Sequence, residues 1–214
     1  MKLNLPRYTY SEVGRIANYF LKEHHPSLEI PIPVEDILDL KMGFHIFPFP
    51  RLFKDFGLSG FLSADMSTIY VDEVQYDQYN EKYRYTLAHE LGHYVLHKSI
   101  YENLPYKSPE EFVQWRLHVP PEEIGWFETH GNWFAGHLLV PTSRLEEVCR
   151  DIVLKYQDTF SEFDSIPDDI WSYISNEVAT YFDVNPPVVE AQIKKENIIQ
   201  KIPIFGTQAA ARYF

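Results

Sequence analysis

The chain has 214 residues, a formal net charge of −12 and one cysteine. That length suits one ordinary domain or a compact domain with a small appendage, and so acidic a surface disfavours generic binding to phosphate backbones while favouring a protein partner or a substrate with basic segments. A single thiol permits neither an internal disulfide nor a cysteine-rich metal cluster, and the opening MKLNLPRYTY lacks the apolar run of a signal peptide, so the expected location is the cytoplasm with no membrane involvement.

In chain order, Val13, Ile16, Ala17, Phe20 and Leu21 fall at helical spacing and predict an amphipathic helix over 10–24. Pro31 and Pro33 then open a short helix, VEDILDLKM, that ends at Gly43. FHIFPF at 44–49 reads as a strand, and its proline puts it at a sheet edge. LSGFLSA and STIYVDEV, separated by a polar turn near Asp65, read as a β-hairpin. A long helix is expected from Asn80, as N-cap, through His97. Residues 101–121 read as a loop with a short helix at 110–117, and Pro120-Pro121 opens a strong helix running to Leu139. Further helices are expected near 142–157, 167–182 and 186–195, and the tail from Ile198 has no clear pattern. Cys149, between charged residues, reads as a partly buried helical thiol in preference to a nucleophile.

The chemistry concentrates in Ala88-His89-Glu90-Leu91-Gly92-His93, an H-E-x-x-H. On a helix each residue advances about 100°, so His89 and His93 lie one turn apart on one face and can both reach one tetrahedral zinc. Glu90 leaves the flank of that face, where a carboxylate can act as general base on a metal-bound water. Accidental spacing is the competing explanation. Against it, Leu87, Leu91 and Tyr94 make the opposite face apolar, and unpaired buried imidazoles cost on the order of 1–3 kcal/mol each.

A catalytic zinc takes three protein ligands and one open position. Glu128 is the best candidate for the third, because it interrupts a stripe of Ile124, Gly131, Ala135 and Leu139, where a lone carboxylate is costly unless paired. The competing reading pairs Glu128 with a Lys or Arg. Glu122, Glu123 and His97 are the fallback ligands. Asn132, one turn on, is expected to orient Glu128 or contact substrate. His97 lies about 12 Å along the axis from His89, too far for a shared ion on a straight helix, and reads as a residue behind the ligands or a packing residue. His130 and His137 share a stripe with Trp126 and Trp133 and read as a second packed face.

These residues resemble the ImmA/IrrE family of bacterial and phage-associated metallopeptidases. The likeness is carried by Arg84-Tyr85-Thr86-Leu87-Ala88-His89-Glu90-Leu91-Gly92-His93 with Leu96-His97, and by the run from Glu128 through Asn132, Phe134 and Leu139 to Pro141. The second run is similar to Glu-x-x-Ala-Asn-x-Phe-Ala-x-x-Leu-Leu-Met-Pro, with Gly131 and Val140 as departures that keep the spacing. The likeness covers roughly 10–141. It implies that Glu128 is the third zinc ligand and that the substrate is a transcriptional repressor with a helix-turn-helix domain, cut internally in a stress-response or mobile-element setting. Residues 179–193 are similar to a helix-turn-helix-like segment, but Pro186-Pro187 and the acidic surroundings make it a packing element, with no direct nucleic-acid binding expected.

The expected fold is α+β and zincin-like, a small twisted sheet packed on the metal-bearing helix, with a core at 1–141 and a helical region at 142–214 packed on it. One zinc per chain, on His89, His93 and Glu128, would lower the pKa of its water to about 7, with Glu90 as general base. Two other classes stand beside this one: a non-catalytic zinc-binding interaction protein, and a DNA-binding regulator acting through the C-terminal helices. The same ligand set also accepts Mn²⁺ or Co²⁺.

Overall fold

A computed structural model describes residues 3–102, 104–160 and 168–202. The class is α+β, mostly helical with a small mixed sheet, and the chain divides into two compact units, one ending at Leu139 and the other beginning at Val140.

The first unit opens with α1 (Tyr10–His24), started by a reciprocal cap in which Glu12 N–H donates to the Thr9 hydroxyl and Thr9 N–H donates to the Glu12 carboxylate. Its inner face is Val13, Ala17, Phe20 and Leu21. The segment read as one helix over 34–42 differs in detail. It begins as α2 (Val34–Asp36) and widens into a π turn over Ile37–Lys41, closed by Met42 N–H donating to Ile37 O at 3.1 Å. The wider turn lets the adjacent residues Ile37 and Leu38 both enter the core.

The sheet has strand order β1-β3-β2, with β1 (His45–Phe49) parallel to β3 (Thr68–Asp72) and β2 (Gly60–Leu62) antiparallel to it. The proline-bearing strand is therefore an edge and β2–β3 is a hairpin. Among the helices not legible in the sequence, two adjoin the sheet: α3 (Leu52–Phe56), between β1 and β2, and α4 (Glu73–Gln78), after β3. Buried Asp72 holds both. Its Oδ2 accepts from Phe53 N–H at 2.8 Å and its Oδ1 caps α4 through Gln75 N–H at 3.2 Å.

The long helix is α5 (Asn80–Leu96), and its cap position is Tyr79, with Asn80 already inside the first turn. The α4 helix occupies the residues just before it, so the chain reaches α5 with no room for an Asn cap. His97 ends α5, donating its N–H to His93 O at 3.0 Å. Then come α6 (Lys98–Tyr101), α7 (Pro109–His118) and α8 (Pro121–Leu139). The crossing of α5 with α8 is the spine of this unit, with β2 and β3 against α5 and α1 against α8. Gly92 makes the crossing possible, since a Cβ there would lie 2.9 Å from Phe134 Cβ.

The second unit contains α9 (Thr142–Lys155), α10 (Gln157–Phe160), α11 (Asp168–Phe182), α12 (Pro186–Lys195) and α13 (Ile198–Lys201). Its apolar interior includes Val148, Ile152, Ile174, Val178, Phe182 and Ile193. Cys149 is fully buried, which pushes its thiol up to about 12. Lys155 pairs with Glu177 at 2.8 Å and Lys201 with Glu146 at 2.7 Å, tying α9 to α11 and α13. Residues beyond 202 of the unpatterned tail lie outside the described residues. Among the described residues, no helix is long and apolar enough to cross a membrane.

Candidate metal centre

His89, Glu90 and His93 lie within five residues of α5, and their ligand atoms lie within 4.8 Å of one another. The two imidazoles point their Nε2 atoms at each other across 3.0 Å. From α8, Glu128 brings Oε2 to 3.3 Å from His89 Nε2. Donors held about 2.0–2.1 Å from a tetrahedral zinc stand about 3.3 Å apart, so this spacing fits such an ion. His93 is almost fully buried, and His89 and Glu128 are partly open toward a cavity of about 280 Å³.

Each side chain is held from behind. Asn132 Oδ1 faces His89 Nδ1 at 3.1 Å and also accepts from the Tyr85 hydroxyl at 3.1 Å. Asn132, expected to orient Glu128 or contact substrate, thus backs the ring of His89 and also lines the cavity. Helical spacing puts Asn132 one turn past Glu128, but the ring of His89 comes between, packed on Gly131 where a Cβ would meet its Cε1 at 2.8 Å. His93 Nδ1 meets His97 Nδ1 at 3.0 Å, and the ring of Phe127 stacks on that of His93 with centroids 3.9 Å apart. His130 does sit against Trp126 and Trp133, as its stripe implied, yet its Nδ1 also faces His97 Nε2 at 3.2 Å.

Glu128 does meet the cation of the competing reading, Arg116 Nη2 from α7 at 3.1 Å, and its second oxygen is turned toward His89. Burial alone would raise its pKa, but His89 and Arg116 outweigh that and lower it. His89 shows the counterpart, with burial opposing charge and Glu128 and Glu90 prevailing to raise its pKa. His93 has no such carboxylate partner, so burial and the neighbouring His89 and His97 drive its pKa well down. The fallback carboxylates are engaged elsewhere: Glu122 pairs with Arg7 at 2.9 Å, and Glu123 accepts from Leu3 N–H.

Glu90 is buried, and desolvation is the main reason its carboxyl is pushed up to about 7; His89 works against that rise and Glu128 adds to it. The Leu62 backbone of β2 also works against the rise. Such a group is poised to exchange a proton near neutral pH. Arg116 is the only Lys or Arg among the cavity-lining residues. Arg116 was not singled out in the sequence and Tyr85 entered only within the motif likeness, because the contacts of α7 and α5 with α8 leave no periodic trace.

A fold of this class with an H-E-x-x-H helix crossed by a second, carboxylate-bearing helix is the arrangement of a metallopeptidase core. The family model described as the IrrE N-terminal-like domain, Peptidase M78, matches residues 74–194, more than half of the chain, and the protein belongs to that family. The matched span begins after β3 and reaches into α12, so it includes the C-terminal helices that carried little of the motif likeness and omits α1 and the sheet. No curated protein matches the chain.

Proposed function

We propose that the protein is a zinc-dependent endopeptidase in which His89, His93 and Glu128 hold the metal and Glu90 is the general base. The observation that carries this reading is the convergence of His89 Nε2, His93 Nε2 and Glu128 Oε2 beside the Glu90 carboxylate on one open cavity. When bound, zinc supplies a Lewis acid that polarises a carbonyl and lowers the pKa of a water to about 7. Glu90 takes the proton of the attacking water on its carboxylate and delivers it to the leaving amine nitrogen. Arg116 brings a guanidinium to the cavity for the oxygen that gains charge as the peptide carbonyl is attacked.

The substrate segment would lie extended along β2. Ser59 O and Ser63 N–H pair inward with β3, so Leu58 and Gly60 turn their backbone groups outward, and both line the cavity. The Leu62 carbonyl is closed to a substrate by the Tyr106 hydroxyl, at 2.9 Å. An edge strand of this kind selects extended peptide by main-chain pairing. A helix-turn-helix repressor is the substrate class we favour, on the family likeness and on the net charge of −12, which attracts a basic DNA-binding partner. The cytoplasm, where such repressors act, is the proposed location.

One observation favours a second reading. The Arg116–Glu128 pair could be purely structural, leaving a two-histidine site that binds metal without cutting. A peptide library digested with the zinc-loaded protein, products mapped by mass spectrometry, separates the two. Internal cleavage that vanishes in Glu90→Gln is expected; an intact library with wild type and with a purified helix-turn-helix repressor would overturn the peptidase assignment.

A further inference from the structure

Behind the centre, three imidazoles stand in series. His93 Nδ1 meets His97 Nδ1 at 3.0 Å, and His97 Nε2 meets His130 Nδ1 at 3.2 Å. All three rings are buried, with His97 and His130 wholly inaccessible. Phe127 lies flat against His93 and His97, its centroid 3.9 Å and 4.5 Å from theirs, so neither ring can turn without displacing it.

We propose that His97 and His130 are positioning residues, forming with His93 a one-way chain of neutral imidazoles that fixes the His93 tautomer and keeps its Nε2 lone pair aimed into the centre. The inference rests on His93 being a ligand through Nε2. In that case the His93 proton is on Nδ1 and donates to His97 Nδ1. A neutral His97 then carries its proton on Nε2 and donates to His130 Nδ1. A neutral His130 in turn carries its proton on Nε2, a buried nitrogen that meets no hydrogen-bond partner. One choice at the first ring dictates the other two, because two N–H groups, or two lone pairs, cannot face each other in either contact.

The support differs from the usual one. Metal-bound histidines mostly donate to a carboxylate, a carbonyl or water. Here His89 is backed by the amide of Asn132 and His93 by an imidazole, so both partners are neutral. Among the described residues, no carboxylate stands behind either ring to compete with Glu128 and Glu90. The chain also spans both helices of the crossing, since His93 is on α5, His97 ends it, and His130 is on α8. The ring that holds the metal is thereby registered against the helix that carries Glu128.

The test uses the full chain loaded with zinc and labelled with ¹⁵N-histidine. Long-range proton–nitrogen spectra should show His93 protonated at Nδ1 and both His97 and His130 protonated only at Nε2. Zinc affinity, read by competition with a chelator, should fall about 10–100-fold in His97→Phe. It should recover to within a few-fold of wild type in His97→Gln, whose amide can accept from His93 and donate to His130. His97 protonated at Nδ1, a ring averaging between tautomers, or wild-type affinity in His97→Phe would each overturn the chain. Uptake of two zinc ions would do so by making His97 and His130 a second centre. If wild type takes up no zinc, the reading of the centre itself fails, and metal content reveals that before any spectrum is assigned.

Discussion

Glu128 is where the local chemistry is decided. Its two oxygens face the ring of His89 on one side and the guanidinium of Arg116 on the other, and the two contacts lower its pKa against the effect of partial burial. Removing Arg116 leaves the His89 contact intact, so Arg116→Met should still bind about one zinc. If its guanidinium meets the charge that develops on the substrate, kcat/KM on a cleaved peptide should drop about 10²-fold, in the range seen for the loss of one oxyanion donor. Steady-state kinetics beside metal analysis on the same sample checks both halves; loss of zinc in Arg116→Met would make the residue a support of the ligand only. Glu90 and the two α5 histidines were legible because i and i+4 share a helix face. Arg116, the Tyr85–Asn132 contact and the His97–His130 contact were not, because each depends on how one element is set against another, and no single-element periodicity encodes that.

At the scale of elements, the crossing of α5 and α8 brings the two halves of the site together, and it depends on close approach. Gly92 lies against Phe134 so tightly that a side chain has no place to go. Gly92→Val should therefore overpack the crossing and cost about 1–3 kcal/mol, lowering the melting temperature by about 2–4 °C per kcal/mol for a chain of this size. Differential scanning calorimetry reads this directly, and an unchanged melting temperature would mean the crossing has slack. The long helices and the hairpin were readable from their apolar spacing, turns and prolines. What escaped was shorter than a periodicity window: α3 and α4 have five and six residues, and both depend on Asp72, whose carboxylate organises them from the end of β3. The π turn at Ile37–Lys41 was hidden for a related reason, since one extra residue in a turn changes the hydrogen bonding without altering the apolar composition.

For the whole molecule, every residue proposed to touch metal or proton lies in the unit that ends at Leu139, while the family match continues to residue 194. The helical segment from Val140 onward buries its own apolar residues, including Val184, Val189 and Ile193 from the part similar to a helix-turn-helix. The net charge of −12 acts over the entire surface and favours a basic partner, whereas the chemistry depends on three ligands from two helices. Those ligands are the central claim, and metal content by mass spectrometry on protein purified without chelator tests them most directly. Wild type and Glu90→Gln should each carry about one zinc, and His93→Ala and Glu128→Ala should lose it. Full zinc in Glu128→Ala, or none in wild type after zinc is supplied, would contradict the account.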